Sequence, residues 1–284
     1  MTVPTLLCFG FGYSARALAR RLLGGGWRVL GTVRDAARLP ELAQAGVEGH
    51  VFPLERPGET LAGVTHVLSS VPPDSLGEPV LAAHGSALAA GMWRWVGYLS
   101  TTGVYGNRDG GWVDEESALR PTGMRGTRRV AAEAAWRALG VPLHIFRLAG
   151  IYGPGRNALE SVIDGTAKRI DKPGQVFSRI HVEDIAAVLE ASIARPNPGR
   201  IYNVCDDDPA PPEAVVAYAC ALLGKPAPPL VPLEQADLSP MALSFYADNK
   251  RVSNARIKNE LGVTLRYPSY RDGLRALLPR HRSP

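Results

Sequence analysis

The 284-residue sequence contains only three cysteines, which excludes several classes of protein. Cys8, Cys205 and Cys220 lie far apart, and none belongs to a C-x-x-C pair. An odd and dispersed set fits neither a disulfide framework nor a zinc site built on paired cysteines. We therefore expect a protein of a reducing compartment.

Long hydrophobic runs and targeting signals are also missing. The N-terminal stretch MTVPTLLCFG carries no basic residue, and its apolar run is too short for a signal peptide or a membrane span. We expect a cytoplasmic protein without a membrane partner.

Patterns typical of metal and hydrolase chemistry are absent as well. No G-x-S-x-G elbow occurs, and five of the histidines show no metal-ligand spacing. These are His50, His66, His84, His144 and His281. We expect no metal cofactor.

Charge is moderate and hydrophobic residues are plentiful. Charged residues make up 21% of the chain, hydrophobic residues 45%, and the net charge is +5. This composition suffices for a sizeable core. The arginines are spread along the chain instead of forming one basic block, so we expect no nucleic-acid partner.

Short apolar runs alternate with segments of helical periodicity through the first half of the chain. The predicted strands include TLLCF, WRVLGTV, VEGHVFPL, THVLSSV, RWVGYLS and LHIFRLAG. The predicted helices between them span 14–24, 35–45, 78–91 and 126–139. This alternation is typical of βαβ units, and continuous apolar strands indicate a parallel sheet with helices on both faces.

The second half is less regular. Its periodicity predicts helices over 157–167, 182–194 and 212–223, and a strand around IYNVC. KPAPPLVP at 225–232 contains too many prolines for a helix and is predicted to be extended. We expect an α/β protein with a nucleotide-binding core over 1–150, segments near 178–205 returning to that core, and a smaller, interleaved lobe over 151–284.

The segment after the first strand matches the dinucleotide pattern G-x-G-x-x-A, formed by Gly10, Gly12 and Ala15. Gly10 can adopt the backbone angles of a tight turn, and Gly12 leaves room for a pyrophosphate at the helix N-terminus. Ala15 lets the helix pack close to the strand, and the intervening Tyr13 and Ser14 are further candidates. The pattern predicts a Rossmann-type site; the alternative is a glycine turn that only joins strand to helix.

The second strand is followed by Arg34, where NAD-binding folds carry an acidic residue for the ribose hydroxyls. An arginine there could pair with a 2′-phosphate, and Arg38 could form the other side of that pocket. We therefore expect NADP(H) in preference to NAD(H). The adjacent Asp35 is either a ribose ligand or a helix N-cap. Ser70 and Val71, at the end of THVLSSV, complete the cofactor-binding candidates.

Several segments together resemble the extended short-chain dehydrogenase/reductase superfamily, in the branch of NAD-dependent epimerases and dehydratases. They are the glycine turn, LSTTGVYG at 99–106, WVDEES and RPTG at 112–123, RLAGIYGPGRN at 147–157, HVEDIA at 181–186 and YNVCDDDP at 202–209. The resemblance implies a Rossmann-type doubly wound sheet with a C-terminal substrate lobe and an active site between them. It also implies a homodimer packed through core helices such as 126–139.

The resemblance assigns Thr101 as the hydroxyl that hydrogen-bonds the reacting oxygen; the alternative is a hydroxyl that caps backbone at a strand end. The family's catalytic Tyr-x-x-x-Lys pair is missing, because Arg125 stands in the Tyr position and Arg129 in the Lys position. An arginine, with a pKa above about 12, cannot exchange a proton as tyrosine does. Arg129 could still reach the cofactor as the lysine does.

Arg125 and Arg129 are four residues apart, so on one helix face their charges would repel each other. An anionic ligand would relieve this repulsion, which predicts a small anionic substrate; the alternative is a pair of solvated surface arginines. Tyr105, in a loop expected to face the cleft, and His181 are the candidate replacement acids. Their alternatives are a packed loop aromatic and a capping histidine.

Two functions remain open from the sequence. One is an NADP(H)-binding atypical short-chain dehydrogenase/reductase that acts on a small anionic substrate by redox or epimerase/dehydratase chemistry. The other is a catalytically inactive NADP(H)-binding sensor, which the loss of the tyrosine would favour. The scaffold itself does not distinguish them.

Overall fold

Strands and helices alternate along residues 3–278, the part of the chain that the structure, a computed structural model, describes. In chain order the strands are β1 (Thr5–Phe9), β2 (Arg28–Val33), β3 (Glu48–Val51), β4 (His66–Ser69), β5 (Trp95–Thr101), β6 (Trp112–Val113), β7 (Leu143–Leu148), β8 (Gly150–Tyr152), β9 (Arg169–Asp171), β10 (Arg179–His181), β11 (Ile201–Val204), β12 (Leu230–Pro232) and β13 (Arg251–Val252).

The helices follow the same order. They are α1 (Tyr13–Gly24), α2 (Leu39–Gln44), α3 (Pro57–Leu61), α4 (Pro79–Ala89), α5 (Met124–Ala138), α6 (Ala158–Ile163), α7 (Val182–Ala194), α8 (Pro212–Leu223), α9 (Pro240–Tyr246), α10 (Ala255–Leu261) and α11 (Tyr270–Leu277). Short 3₁₀ turns precede α2, follow β5 and follow β12.

Seven strands form one parallel sheet in the order β11-β7-β5-β4-β1-β2-β3. Alternate residues of β1 enter opposite faces: Leu6 and Cys8 join one core cluster, and Leu7 and Phe9 join the other. Helices α1 and α7 cover the first face, and α4 and α5 cover the second. The sheet is therefore doubly wound, and the predicted Rossmann-type fold is confirmed.

A smaller cluster of buried side chains joins α6, α8 and α11 outside the sheet. Two parallel ribbons, β8 with β10 and β6 with β13, tie this lobe to the core, and a third, β9 with β12, lies within the lobe. Among residues 3–278, no helix combines the length and the hydropathy that a membrane crossing requires.

Most predicted helices form within two residues of their expected ends. Helix 157–167 is shorter than predicted and ends at Ile163, before Gly165 with φ of 69°. The segment 225–232 contains no helix, and its end forms β12. Helices α9, α10 and α11 are short elements that the sequence periodicity did not reveal.

Candidate nucleotide-binding and active site

The turn after β1 has the geometry of a nucleotide-binding loop. Gly10 has φ of 79°, a region that favours glycine, and its N–H donates to Thr32 Oγ1 at 2.9 Å. The Phe11 N–H donates to the Thr32 carbonyl at 2.7 Å. These two bonds fix the turn against β2.

Gly12 occupies the N-cap of α1 and leaves the space before this helix open. No side chain caps the helix, its first turn carries no acidic residue, and a Cβ added to Gly12 would meet no atom within 4 Å. Ser14 and Ala15 are buried in the first turn, and Ala15 is fully buried against the sheet. The N–H groups at the helix start are therefore suited to a pyrophosphate.

Tyr13 connects this turn to the substrate lobe. Its hydroxyl donates to the carbonyl of Pro154 at 2.9 Å, across 141 residues of sequence. A Cβ on Gly153 would lie 2.6 Å from the same hydroxyl. The tyrosine therefore holds the segment after β8 against the nucleotide turn, a structural role beside its predicted place in the cofactor site.

Ser70 and Val71, after β4, form the opposite side of the glycine turn. The Ser70 hydroxyl donates to the Gly10 carbonyl at 2.5 Å, and Val71 Cγ2 lies 3.0 Å from where a Cβ of Gly10 would be. Both residues therefore lie beside the turn, at the carboxyl edge of the sheet where nucleotides bind in this fold.

Arginines outnumber carboxylates at the end of β2. Arg34 is exposed and has no carboxylate partner among residues 3–278. Arg38 and Arg16 share one carboxylate, that of Glu41, at 3.4 and 3.3 Å. The Asp35 carboxylate accepts from the Ala37 N–H at 2.9 Å and caps the 3₁₀ turn. This edge therefore carries a net positive charge.

Thr101 ends β5 and caps the turn that follows. Its Oγ1 accepts from the Gly103 N–H at 3.1 Å, so the hydroxyl oxygen caps the backbone, as the alternative interpretation predicted. The side chain is partly exposed, and its hydroxyl hydrogen is not used in that bond. Thr101 can therefore still donate to a ligand oxygen.

The prediction that Tyr105 faces the cleft is wrong. The side chain is fully buried; its hydroxyl donates to Asn203 Oδ1 at 2.7 Å and accepts from Arg147 at 2.9 Å. Burial raises the pKa of Tyr105 to about 12, although Arg147 opposes the shift. A loop position does not determine side-chain direction, and here the hydroxyl satisfies buried polar groups.

Sequence analysis missed the buried network around this tyrosine. Arg147 on β7 forms a two-point ion pair with Glu133 of α5, with N–O distances of 3.1 and 2.8 Å. Glu133 also accepts from the Ser100 hydroxyl at 2.6 Å. The signal was available, because a charged residue inside the apolar strand LHIFRLAG requires a buried partner.

Arg125 and Arg129 have different surroundings. Arg129 donates to the Leu99 carbonyl at 2.6 Å and to the Tyr98 hydroxyl at 3.0 Å, so it lies against β5. Arg125 is exposed in the first turn of α5, with its guanidinium carbon 5.4 Å from the centre of the Phe245 ring. Neither has a carboxylate partner among the described residues. A cation at the positive end of a helix is unfavourable by about 0.3–1 kcal/mol, which a bound anion would offset.

His181 is buried at the N-cap of α7. Its Nδ1 accepts from the Glu183 N–H at 3.2 Å, which matches the capping alternative. The ring also packs edge-on against Tyr152, with centroids 5.2 Å apart. At 2% exposure this ring does not present itself to a solvent-filled cleft.

Comparison with known proteins finds relatives that span nearly the whole chain. No model of a protein family matches it. A functionally unknown conserved protein from Silicibacter pomeroyi is 57% identical over 99% of this chain and all of that one, with a TM-score of 0.94. A structure from Methylobacillus flagellatus, described as a candidate NAD-dependent epimerase/dehydratase, is 28% identical over the full length of both chains, with a TM-score of 0.77. Protein YeeZ of Escherichia coli K12 is 27% identical over 91% of this chain and 94% of its own length.

More distant structures share the fold. UDP-glucuronic acid 4-epimerase from Bacillus cereus, solved with NAD, has a TM-score of 0.77 at 15% identity over 97% of this chain and 96% of that one. Human epimerase family protein SDR39U1, solved with NADPH, has a TM-score of 0.71 at 16% identity over 97% of this chain and 99% of that one. The glycine turn, the sheet order and these similarities agree: the chain has the doubly wound fold of these epimerases and is similar over its full length to a protein described as an NAD-dependent epimerase/dehydratase.

Proposed function

We propose that this protein binds NADP(H) and uses it in redox or epimerase/dehydratase chemistry on a small anionic substrate. The cofactor preference depends on one observation, the exposed Arg34 at the end of β2 without a carboxylate partner among residues 3–278. A 2′-phosphate would supply that partner. Asp35, the acidic residue available for ribose hydroxyls, is occupied in capping.

The residues present suit a nicotinamide dinucleotide. Gly12 and the uncapped start of α1 would hold the pyrophosphate. Arg129, held to β5 at the family's lysine position, would lie beside the nicotinamide ribose. A bound nicotinamide supplies or accepts a hydride.

The substrate contacts follow from Thr101 and Arg125. The Thr101 hydroxyl hydrogen would donate to the reacting oxygen, because its lone pair is already bonded to Gly103. Arg125 would pair with a substrate anion beside it. Tyr105 and His181 are buried and occupied, so we infer that water, and not a tyrosine, exchanges the proton.

The cofactor proposal is tested by fluorescence titration with NADPH and NADH. We expect NADPH to bind at least about tenfold more tightly, and Arg34→Ala to remove that preference. Arg275→Ala, which alters an exposed arginine of α11, is the matched control and should change neither affinity. Equal affinities in the unmodified protein would contradict the NADP(H) preference, and failure to bind either nucleotide would contradict the site.

The burial of Tyr105 favours a second candidate, a sensor that binds NADP(H) without turnover. The two are separated by incubating the protein with a metabolite extract and either NADPH or NADP⁺, and following the small molecules by NMR. Conversion of a small molecule, with net hydride transfer for redox chemistry or without it for epimerase/dehydratase chemistry, supports the enzyme if Thr101→Ala reduces it. Tight NADPH binding without any conversion supports the sensor.

A further inference from the structure

The last turn of α9 meets the first turn of α5 at the family's catalytic-tyrosine position. The Arg125 guanidinium carbon lies 5.4 Å from the centre of the Phe245 ring, within the range of a cation–π contact. Since α5 is capped by no side chain and has no acidic residue in its first turn, the cation at this point is uncompensated. A ligand at this position would meet a cation and an aromatic ring together.

Helix α9 is fixed in this position by contacts on both sides of its C-terminus. Lys172 Nζ donates to the Tyr246 carbonyl, and the Tyr246 ring packs edge-on against Phe177 at 5.4 Å. The Thr122 hydroxyl, just before α5, bonds the Asp248 carboxylate. The Arg125–Phe245 contact therefore belongs to a tied junction between the lobe and the core.

The same junction exposes large apolar side chains. Met124 is 66% exposed, Met241 63% and Phe245 53%. Met241 and Phe245 are four residues apart and share one face of α9, and Met124 directly precedes Arg125. Exposed apolar groups beside an uncompensated cation are typical of a binding surface.

We propose that this junction recognises the substrate and that the substrate is an aromatic carboxylic acid. Its carboxylate pairs with Arg125 at the start of α5, and its ring packs on Phe245 and Met241. The Arg125 guanidinium has no carboxylate partner among residues 3–278, so its N–H groups can pair with a substrate carboxylate. This inference rests on the proposed function and narrows its substrate class.

A polyphosphate ligand fits this junction less well. Arg129, one turn further along the helix, is turned to the Leu99 carbonyl and the Tyr98 hydroxyl, whereas the Arg125 guanidinium lies over the Phe245 ring. The Arg125 cation beside the exposed Phe245, Met241 and Met124 side chains complements a carboxylate on an apolar body. A diphosphate would leave charge uncompensated against Met241 and Phe245.

Calorimetric titration of the NADP⁺-loaded full-length protein tests this proposal. The probes are 3-phenylpropionate and 4-hydroxycinnamate, the neutral 3-phenylpropanamide, and UDP. We expect both acids to bind and the amide to bind at least about tenfold more weakly. Arg125→Gln should weaken acid binding by about tenfold or more and leave amide binding unchanged.

The apolar contacts are tested by truncating Met241 and Phe245, and the exposed Met92 serves as the control for Met241. Met241→Ala and Phe245→Ala should weaken acid binding several-fold, and Met92→Ala, at a position 95% exposed in the loop before β5, should not. The proposal would be overturned if the acids and the amide bound equally well, or if neither acid bound. It would also be overturned if UDP bound in an Arg125-dependent way and the acids did not. Loss of NADP⁺ binding itself would instead contradict the proposed function.

Discussion

Arg147 of β7 and Glu133 of α5 form a two-point ion pair that is almost completely shielded from water. Their side chains are 2% and 1% exposed, and the shorter N–O distance is 2.8 Å. The pair fixes α5 to the strand that follows it. It therefore supports the helix whose first turn carries Arg125.

Removing one partner of this pair should destabilise the fold. We expect Glu133→Ala to lower the free energy of unfolding by about 3–5 kcal/mol, because the Arg147 charge would remain buried without compensation. Glu59→Ala is the control: its exposed ion pair with Arg56 contributes about 0–1 kcal/mol. Urea denaturation measures both, and equal losses would contradict a structural role for the buried pair.

Local patterns predicted the parts of this molecule that depend on neighbouring residues. The glycine turn, the parallel strands and most core helices follow from apolar runs and from motifs a few residues long. Thr101 and Asp35 have the capping contacts that their positions at element boundaries suggested. In each case the partner atom lies two residues away.

Contacts between distant segments could not be predicted in this way. Tyr105 bonds Asn203, 98 residues further along the chain, so its loop position gave no information about its direction. The local pattern VAAEAAW does not indicate that Glu133 pairs with Arg147 on β7, 14 residues further along the chain. The position of Phe245 beside Arg125 depends on how α9 folds back across the lobe.

Two glycines of the nucleotide turn should respond differently to the same substitution. Gly10→Ala is expected to cost about 1–2 kcal/mol of stability, because Gly10 has φ of 79° and Val71 lies 3.0 Å from the added carbon. Gly12→Ala should cost less than about 1 kcal/mol, since no atom lies within 4 Å of its added carbon.

Gly12→Ala should weaken NADPH binding strongly although it costs little stability. The added methyl group would occupy the space at the start of α1, and we expect NADPH affinity to fall at least about tenfold while the protein stays folded. Thermal unfolding and NADPH titration of both variants distinguish the effects. Unchanged NADPH affinity in Gly12→Ala would contradict the location of the pyrophosphate.

Tyr105→Phe should reduce stability without affecting the cofactor. The variant leaves Asn203 Oδ1 without its donor and removes an acceptor from Arg147, at a cost of about 1–3 kcal/mol. We expect the NADPH dissociation constant to remain within twofold of the unmodified value. Normal stability combined with weakened NADPH binding would show that the tyrosine reaches the nucleotide.

Asp206, two residues after the end of β11, has an incompletely satisfied buried carboxylate. Its Oδ1 accepts from the Asp208 N–H at 3.3 Å, but Oδ2 is buried with no hydrogen-bond partner among residues 3–278. Burial raises the pKa of Asp206 to about 8; Arg179 opposes this shift, and Asp207 and Asp208 increase it. The folded protein therefore retains a proton that the unfolded chain releases near pH 4.

Stability should consequently decrease as the pH rises from about 4 to about 8, because the folded state binds the extra proton over this window. The contribution of Asp206 is at most about 1.4 kcal/mol per pH unit. Asp206→Asn, which resembles the protonated side chain, should flatten the dependence and have its largest relative advantage near pH 8. Asp237→Asn, at a fully exposed carboxylate, should leave the curve unchanged. Urea unfolding of the three proteins between pH 5 and 8 measures this, and parallel curves for Asp206→Asn and the unmodified protein would show that Asp206 is ionised in the folded state.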